Sequence, residues 1–349
     1  MRHACAPYAQ RVPTVLLDAR EAADPAPRGV GRYVRGLLGG LAGVEGWRVR
    51  APLRGLPGPE VVHEQLGLGL AAVRAGADVL HAPNCFLPLL RHTPGVVTVH
   101  DLAFEAHPRD FAPRTGVKYR AFTPRAVRCA QRVICVSRWT AADVCRRYGV
   151  DGERLRVVPN GPSLPLGDGE SPPGRPYILA VGDLRAKKNL VRLVRAFRAL
   201  RAQGLEHRLV LAGPDAGEGA RLRAEAGDAP VALTGWLDDA ALDVLLRGAD
   251  ALVHPSLYEG FGMVLVEAMA RGVPVVCSTA TALPETAGDA AAYFDPLDEA
   301  ALAAALAGVL EDRVLRERLV AAGRERAARF SWARTARETA AVYAEALDG

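Results

Sequence analysis

Short apolar runs, each closed by glycine, proline or a small polar cluster, alternate along this chain with longer segments whose apolar residues recur every three or four positions. The runs at 12–19, 48–52, 78–81, 96–100, 132–136 and 156–159 read as strands of a first half. Those at 176–182, 207–213, 231–234, 251–254, 273–277 and 292–294 read as strands of a second. Helical periodicity marks 32–41, 111–132, 190–200, 237–249, 263–271, 298–310, 313–330 and 331–347. Ser137 caps a further helix and Asn189 caps the one at 190–200. Pro124 is expected to break the helix at 111–132, and Gly39–Gly40 to weaken the end of the first. The Leu/Gly/Pro-rich stretch 53–70 has no readable period. Strands alternating with helices predict an α/β protein.

A chain of 349 residues is too long for one ordinary core and suits two. The Pro/Gly-rich, aperiodic segment 162–176 separates them. The expected division is an N-terminal domain at 1–165, a C-terminal domain at 166–330, and a terminal helix at 331–349 that crosses back to the first domain.

Composition narrows the class. Half of the residues are hydrophobic, with 35 Gly and 25 Pro, which suits a folded α/β protein and excludes a disordered one. The abundance of Arg, Ala, Gly and Pro suggests a bacterial genome of high GC content. The six cysteines show no C-x-x-C spacing, so free thiols and a cytoplasmic setting are expected. No leader-like apolar core opens the chain, and no 18-residue apolar span occurs. A net charge of +5 favours anionic ligands or an acidic membrane surface and does not argue for nucleic acid. The segment 111–132 carries Arg114, Lys118, Arg120, Arg125, Arg128 and Arg132 against few acids. It reads either as a solvated face or as an anion patch on the acceptor or membrane side.

The chemistry concentrates at 254–271, HPSLYEGFGMVLVEAMAR. A strand, a turn containing Gly260 and Gly262, and a helix opening at Met263 would gather unpaired backbone N–H groups on one anion. Glu259 and Glu267, at an E-x7-E spacing, would take hydroxyls at either end of a ligand whose phosphates lie between them. That describes a nucleotide-sugar. The competing account is a plain strand–helix corner in which Glu259 caps the helix and Glu267 is solvated. Arg185, Lys187 and Lys188 crowd the loop after the strand at 176–182, where cations suit a leaving diphosphate. Gly29 and Gly31 repeat the anion-loop pattern in the first half, or simply serve a tight connection. His81 and His100 end strands where open sheets bind ligands. His100 is read as functional, His81 and His107 stay open between functional and structural roles, His254 bridges strand and loop, and His63 is a surface residue. Thr281 and Glu285 either reach ligand hydroxyls or cap the next helix. No D-x-D, HExxH or lysine P-loop appears, so no metal is expected at the site. Asp101, Glu259 and His100 are all formal candidates for a base, and no spacing selects one.

The blocks GVGRY (29–33), VHDLAFEAHP (99–108), ICVSRWTAADV (134–144), VVPNG (157–161), VGDLRAKKN (181–189), LTGWLDD (233–239), the long run from His254 to 276 and the terminal FSW resemble the retaining glycosyltransferases of family 4, and within them a bacterial mannosyltransferase-like branch. The resemblance spans nearly the whole chain. It implies the GT-B fold, two facing Rossmann-like domains with the ligand in the cleft between them. It also implies roles. Glu259 would contact the donor sugar's hydroxyls and Glu267 the ribose diol. The amides of Gly262 and Met263 would lie on the diphosphate, with Lys188 neutralising its distal phosphate. His100 would sit against the transferred sugar and the β-phosphate, and Gly29 and Gly31 would face the donor from the other domain. Family members retain anomeric configuration, the leaving phosphate oxygen taking the acceptor proton. Two positions depart from the pattern: Asp183 stands where Arg, Ser or Thr is common, with Arg185 as a substitute cation, and Lys187 stands for an arginine.

The expected function is transfer of a hexosyl group from a GDP- or UDP-linked sugar, without metal or cofactor, to a glycan, lipid-linked or small-molecule hydroxyl. Asp101, His107 and Lys118 are placed on the acceptor side. Peripheral contact with the inner face of a membrane is an accompanying expectation. An epimerase or hydrolase of the same fold and a non-catalytic carbohydrate-binding protein are the alternatives.

Overall fold

Strands buried on both faces need apolar residues at every position, and the inner runs of each half become such strands. The computed structural model describes residues 11–55, 59–167 and 176–349. The first sheet comprises β1 (Thr14–Leu17), β2 (Arg48–Arg50), β3 (Val79–Ala82), β4 (Gly95–Val99), β5 (Arg132–Cys135) and β6 (Leu155–Val157), in the order β2-β1-β3-β4-β5-β6. The second comprises β7 (Tyr177–Val181), β8 (Arg208–Ala212), β9 (Val231–Gly235), β10 (Ala251–His254), β11 (Val275–Ser278) and β12 (Ala291–Phe294), in the order β12-β11-β10-β7-β8-β9. Every pairing is parallel; Leu16 faces Leu80, Val97 faces Val133 and Leu252 faces Val275. The edge strands β2 and β9 alternate exposed and half-buried positions, as edges do.

In each sheet the strand order reverses beside the first strand: between β1 and β3, and between β7 and β10. The crevices beyond the carboxyl ends of those strands are where such sheets bind ligands. Here they face each other. The helices that shape them are α1 (Gly29–Leu41), α2 (Leu68–Ala75), α3 (Pro113–Cys129), α4 (Arg138–Tyr148), α5 (Leu190–Ala202), α6 (Met263–Ala270) and α7 (Trp332–Leu347).

Several local expectations change. Pro124 lies inside α3 without ending it. The unreadable stretch turns helical at Glu60–Val62, passes through a π turn at His63–Gly67 and continues as α2, which buries His63 rather than exposing it. Asn189 precedes α5 in a left-handed conformation (φ 57°), and its side chain makes no cap. Its Nδ2 donates instead to the carbonyls of Pro255 (3.0 Å) and Pro296 (2.8 Å), tying the β7 loop to the β10 loop. Of the boundary segment, 168–175 lies outside the described residues, as do His3 and Cys5.

The terminal helix returns to the first domain. Ala336, Ala340, Val342, Tyr343 and Ala346 of α7 join the core formed by β1, β3 and α1. Close approach is permitted by glycines of α1: a Cβ on Gly36 would enter the Trp332 ring, and one on Gly40 would meet the Trp332 carbonyl. Gly40 thus serves packing, whatever it subtracts from helix propensity. Trp332 Nε1 donates to the Pro162 carbonyl (2.8 Å) and its ring edge meets Tyr33.

His81 is part of this junction and has a structural role. It is fully buried, with Nδ1 2.8 Å from the Tyr343 hydroxyl and Nε2 2.8 Å from Thr98 Oγ1. Burial, aided by nearby His100, pushes its pKa down to about 3. A group depressed in the fold contributes stability above its unfolded value of 6.5 and loses it as pH falls toward 3. The chain is therefore expected to lose up to about 1.4 kcal/mol per pH unit through this one residue below that value. His81→Gln should flatten the dependence of unfolding free energy on pH between those limits. An unchanged slope in denaturant melts would disprove the assignment.

Candidate active site

The two loops that meet at the second crevice follow β7 and β10. The first brings Lys188, the second Glu259, and their Nζ and Oε1 lie 2.6 Å apart. His254 Nε2 lies 3.2 Å from the same carboxylate oxygen, and Ser256 Oγ is 3.2 Å from that nitrogen. Burial alone would raise the Glu259 pKa, but Lys188, Lys187 and His254 outweigh it and hold the carboxyl well below the usual range. Burial lowers His254, so the imidazole is neutral and bridges strand and loop. The Glu259 backbone is fixed by Thr281, whose Oγ1 accepts from its N–H (2.9 Å) and donates to its carbonyl (2.8 Å). Thr281 thus orients the glutamate rather than reaching for ligand.

Gly262 takes φ 91° and opens α6, whose first amides have no acceptor within the helix. Met263 is the first helical residue. One turn further in, Glu267 is buried, and its Oε1 accepts from the amides of Ser163 (3.1 Å) and Leu164 (3.3 Å). Burial raises its pKa against the pull of Arg32, those amides and Arg271. One of its oxygens is therefore engaged with the interdomain segment, and only Oε2 is open for a diol among the described residues.

Between the domains lies a cleft of ≈ 160 Å³, open to solvent on one side. Arg28, Gly29 and Arg32 line one side; Gly182, Asp183 and Trp236 line the other. A Cβ on Gly182 would stand 3.1 Å from Lys188 Nζ, so the lysine packs beside a residue of the cleft wall, although neither it nor Glu259 lines the cleft itself. Arg28 and Arg32 are cations from the first domain that no spacing singles out; the only signal in sequence is that they flank the glycines of RGVGR. Asp183 pairs with Arg185 (2.8 Å) and with Arg28 (3.3 Å). The departure at 183 therefore draws Arg185 to itself and recruits a cation across the cleft. Arg32 reaches Asp239. Gly29 lines the cleft, whereas Gly31 packs inward, a Cβ there standing 2.6 Å from the Glu21 carbonyl oxygen.

The domains also touch directly. Gly260 abuts the His100 carbonyl so closely that no side chain fits. His100 Nε2 donates to the Pro83 carbonyl (2.8 Å), which leaves Nδ1 with a lone pair. Loss of solvent lowers its pKa against the pull of that carbonyl and of Asp101. A neutral ring in this tautomer accepts from a hydroxyl and does not donate to phosphate. Asp101 caps the Ala103 amide (2.9 Å) and pairs with Lys187 (3.4 Å), whose own amide donates to Asp110 (2.8 Å). Lys187 is thus an interdomain tie. Tyr258 donates to Asp143 (2.7 Å), accepts from the Leu102 amide (3.2 Å) and meets His107 edge-on. Glu285 accepts from the Arg138 and Trp139 amides (2.8 and 3.0 Å) at the start of α4. Lys118 lies apart from these residues, held by Glu60 (2.7 Å) and Glu64 (2.8 Å) above the Phe86 ring.

Among the described residues, no three His, Cys, Asp or Glu side chains converge to hold a metal ion.

Two domains, each built on a parallel sheet and facing each other across a cleft, make the GT-B architecture, and comparison with known proteins supplies the class, a glycosyltransferase. Residues 42–164 match the model described as Glycosyltransferase Family 4, and residues 167–326 match that described as Glycosyl transferases group 1. The chain is 30% identical over 282 residues to the O-antigen chain mannosyltransferase B of Escherichia coli, covering 76% of this chain and 74% of that protein. It is 32% identical over 314 residues to the MMP alpha-(1->4)-mannosyltransferase of Mycolicibacterium hassiacum, covering 84% and 76%. The crystal structure of Anabaena Alr3699/HepE in complex with UDP-glucose superposes with a TM-score of 0.73 at 19% identity, covering 95% of this chain and 99% of that one. The chain belongs to glycosyltransferase family 4.

Proposed function

We propose that this glycosyltransferase moves a hexosyl group from a nucleoside-diphosphate sugar to an acceptor hydroxyl, with retention and with no divalent ion at the phosphates. The observation that carries the reading is the 2.6 Å Lys188–Glu259 pair at the switch point of the second sheet, with Lys188 packed beside Gly182 of the cleft wall. In this reading the base lies toward Trp236 and the diphosphate runs over the first amides of α6. Lys188 then leaves Glu259 for the distal phosphate, and Glu259 turns to the sugar's hydroxyls. His100 accepts from a sugar hydroxyl through Nδ1, and Glu267 Oε2 takes one ribose hydroxyl.

The C1–O bond to the diphosphate breaks as the C1–O bond to the acceptor forms on the same face. The acceptor's proton passes to the departing phosphate oxygen, where Lys188 and helix amides stabilise the charge. What supports this over a protein base is that Asp101 is engaged by Lys187, while Glu259 and His100 are both committed to the sugar's own hydroxyls in this reading. The names of the two mannosyltransferase relatives favour a mannosyl donor, while the UDP-glucose bound to the Anabaena protein keeps uridine in play.

Melting curves with GDP-, UDP-, ADP- and dTDP-sugars test the donor. At a hundredfold excess over Kd the right one should stabilise the fold by about 2.7 kcal/mol. Sugar transfer to an added acceptor with the α-anomer retained from an α-linked donor completes the test. No shift with any donor at millimolar concentration would sink the reading. Nucleoside diphosphate released without acceptor, or inversion at the sugar's C2, would replace it with a hydrolase or an epimerase.

A further inference from the structure

The helical run 60–75 carries an apolar stripe that the core does not use. Val62, Leu66, Leu70 and Val73 recur at helical spacing and are all exposed, Leu66 by 56% and Val73 by 63%. Leu90, 85% exposed, extends the stripe: its carbonyl lies against Gly69, and the neighbouring Leu89 amide donates to Gln65 (3.2 Å). On the other side runs α3, tied to the same helical run by Lys118 through Glu60 and Glu64, and it adds exposed Val117. Scattered exposed apolar residues need no explanation, but a contiguous set rimmed by one sign of charge does.

The charge around it is one-sided. Arg74, Arg114, Arg120, Arg125 and Arg128 are all exposed on these segments, while the two acids, Glu60 and Glu64, are both taken by Lys118. A second copy of the chain would bring this patch against itself, arginine facing arginine, across a two-fold axis. A flat anionic surface has no such conflict: leucine and valine side chains enter its boundary while arginines reach phosphate on flexible stems. No helix among the described residues is long and apolar enough to cross a membrane, so contact would be from one side.

We propose that this face of the first domain, built by the run 60–75, Leu90 and α3, docks on an anionic lipid bilayer. The inner side of the same run reaches toward the cleft: Arg20 lies 3.8 Å from Glu64 and 2.8 Å from Asp18, just beyond β1. Docking therefore holds the first-domain wall of the cleft near the lipid surface. The inference does not depend on which donor is bound.

Cosedimentation of the full chain with vesicles tests it. The wild-type chain should pellet with phosphatidylcholine vesicles containing roughly 30 mol % phosphatidylglycerol and stay in solution with phosphatidylcholine alone, and high salt should release it. The triple variant Leu66→Ser, Leu70→Ser, Leu90→Ser should bind about 10-fold more weakly or not at all, with an unchanged melting temperature, since the three side chains are exposed. Arg114→Glu with Arg125→Glu should weaken binding to a similar degree while leaving the apolar stripe intact. A wild-type chain that ignores anionic vesicles, or variants that bind as well as wild type, would overturn the proposal. So would a concentration-dependent dimer in sedimentation velocity that the triple variant abolishes, because the stripe would then belong to a second copy.

Discussion

Lys188→Ala is expected to lower the rate of transfer by about 10²- to 10³-fold, the usual effect of removing one aligned donor from a developing oxyanion. It should also destabilise the unliganded fold by roughly 3 kcal/mol at neutral pH, because both partners are largely buried and Glu259 would lose its nearest cation. The sign of the pH dependence follows from Glu259. Its carboxyl is depressed in the fold, so the contribution is complete above the ordinary value of 4.5 and is lost as pH falls below it. The difference in melting temperature between variant and wild type should therefore narrow in acid. Glu259→Ala makes the contrast: transfer should be abolished while nucleoside diphosphate binding largely survives, since the lysine remains for the phosphate. Steady-state kinetics with nucleotide titrations separates the two. Equal loss of nucleotide affinity in both variants would refute the division of roles.

Gly36→Val is expected to be among the most damaging single changes in the molecule. The side chain would enter the space of the Trp332 ring, and α1 and α7 would have to part. Overpacking of this kind costs typically 1–3 kcal/mol, and the upper end or beyond is expected where the obstacle is a ring held by a hydrogen bond to Pro162. The melting temperature should fall by several degrees, and tryptophan emission should shift to the red as Trp332 meets water. Gly39 supplies the control: a Cβ there meets nothing, so Gly39→Ala should be neutral or stabilise by about 0.5–1 kcal/mol through helix propensity alone. Identical melting curves for Gly36→Val and wild type would show that α7 does not depend on this contact.

The glutamate turn illustrates how far local pattern reaches. An apolar strand, two glycines and an apolar helix leave little choice of local structure, and Glu259 and Lys188 were bound to lie near strand ends that open sheets use for ligands. That the two ends belong to neighbouring strands follows from the order β10-β7, which no run of residues states. The motif residues that proved to be ties rather than ligand contacts are instructive too. Glu285 and Thr281 have side chains suited to hydroxyls, yet one accepts from amides of the opposite domain and the other clamps the Glu259 backbone. A carboxylate looks the same in sequence whichever donor it meets.

What sequence alone determined was the local and the periodic: the short runs that became the twelve strands among the described residues, most of the helices between them, and the motif residues at strand ends. These depend on neighbours a few positions away, so they survive without knowledge of the rest. Tertiary structure decided everything that joins distant segments: Arg28 to Asp183 across 155 residues, Glu285 to α4 across 147, and His81 to Tyr343 across 262. It also turned Gly36 and Gly40 into the seat of α7 and left Leu66, Leu70 and Leu90 uncovered. Whether an apolar side chain is buried, or a charge is paired, is settled by what folds against it, and that partner is set by topology rather than by adjacent residues.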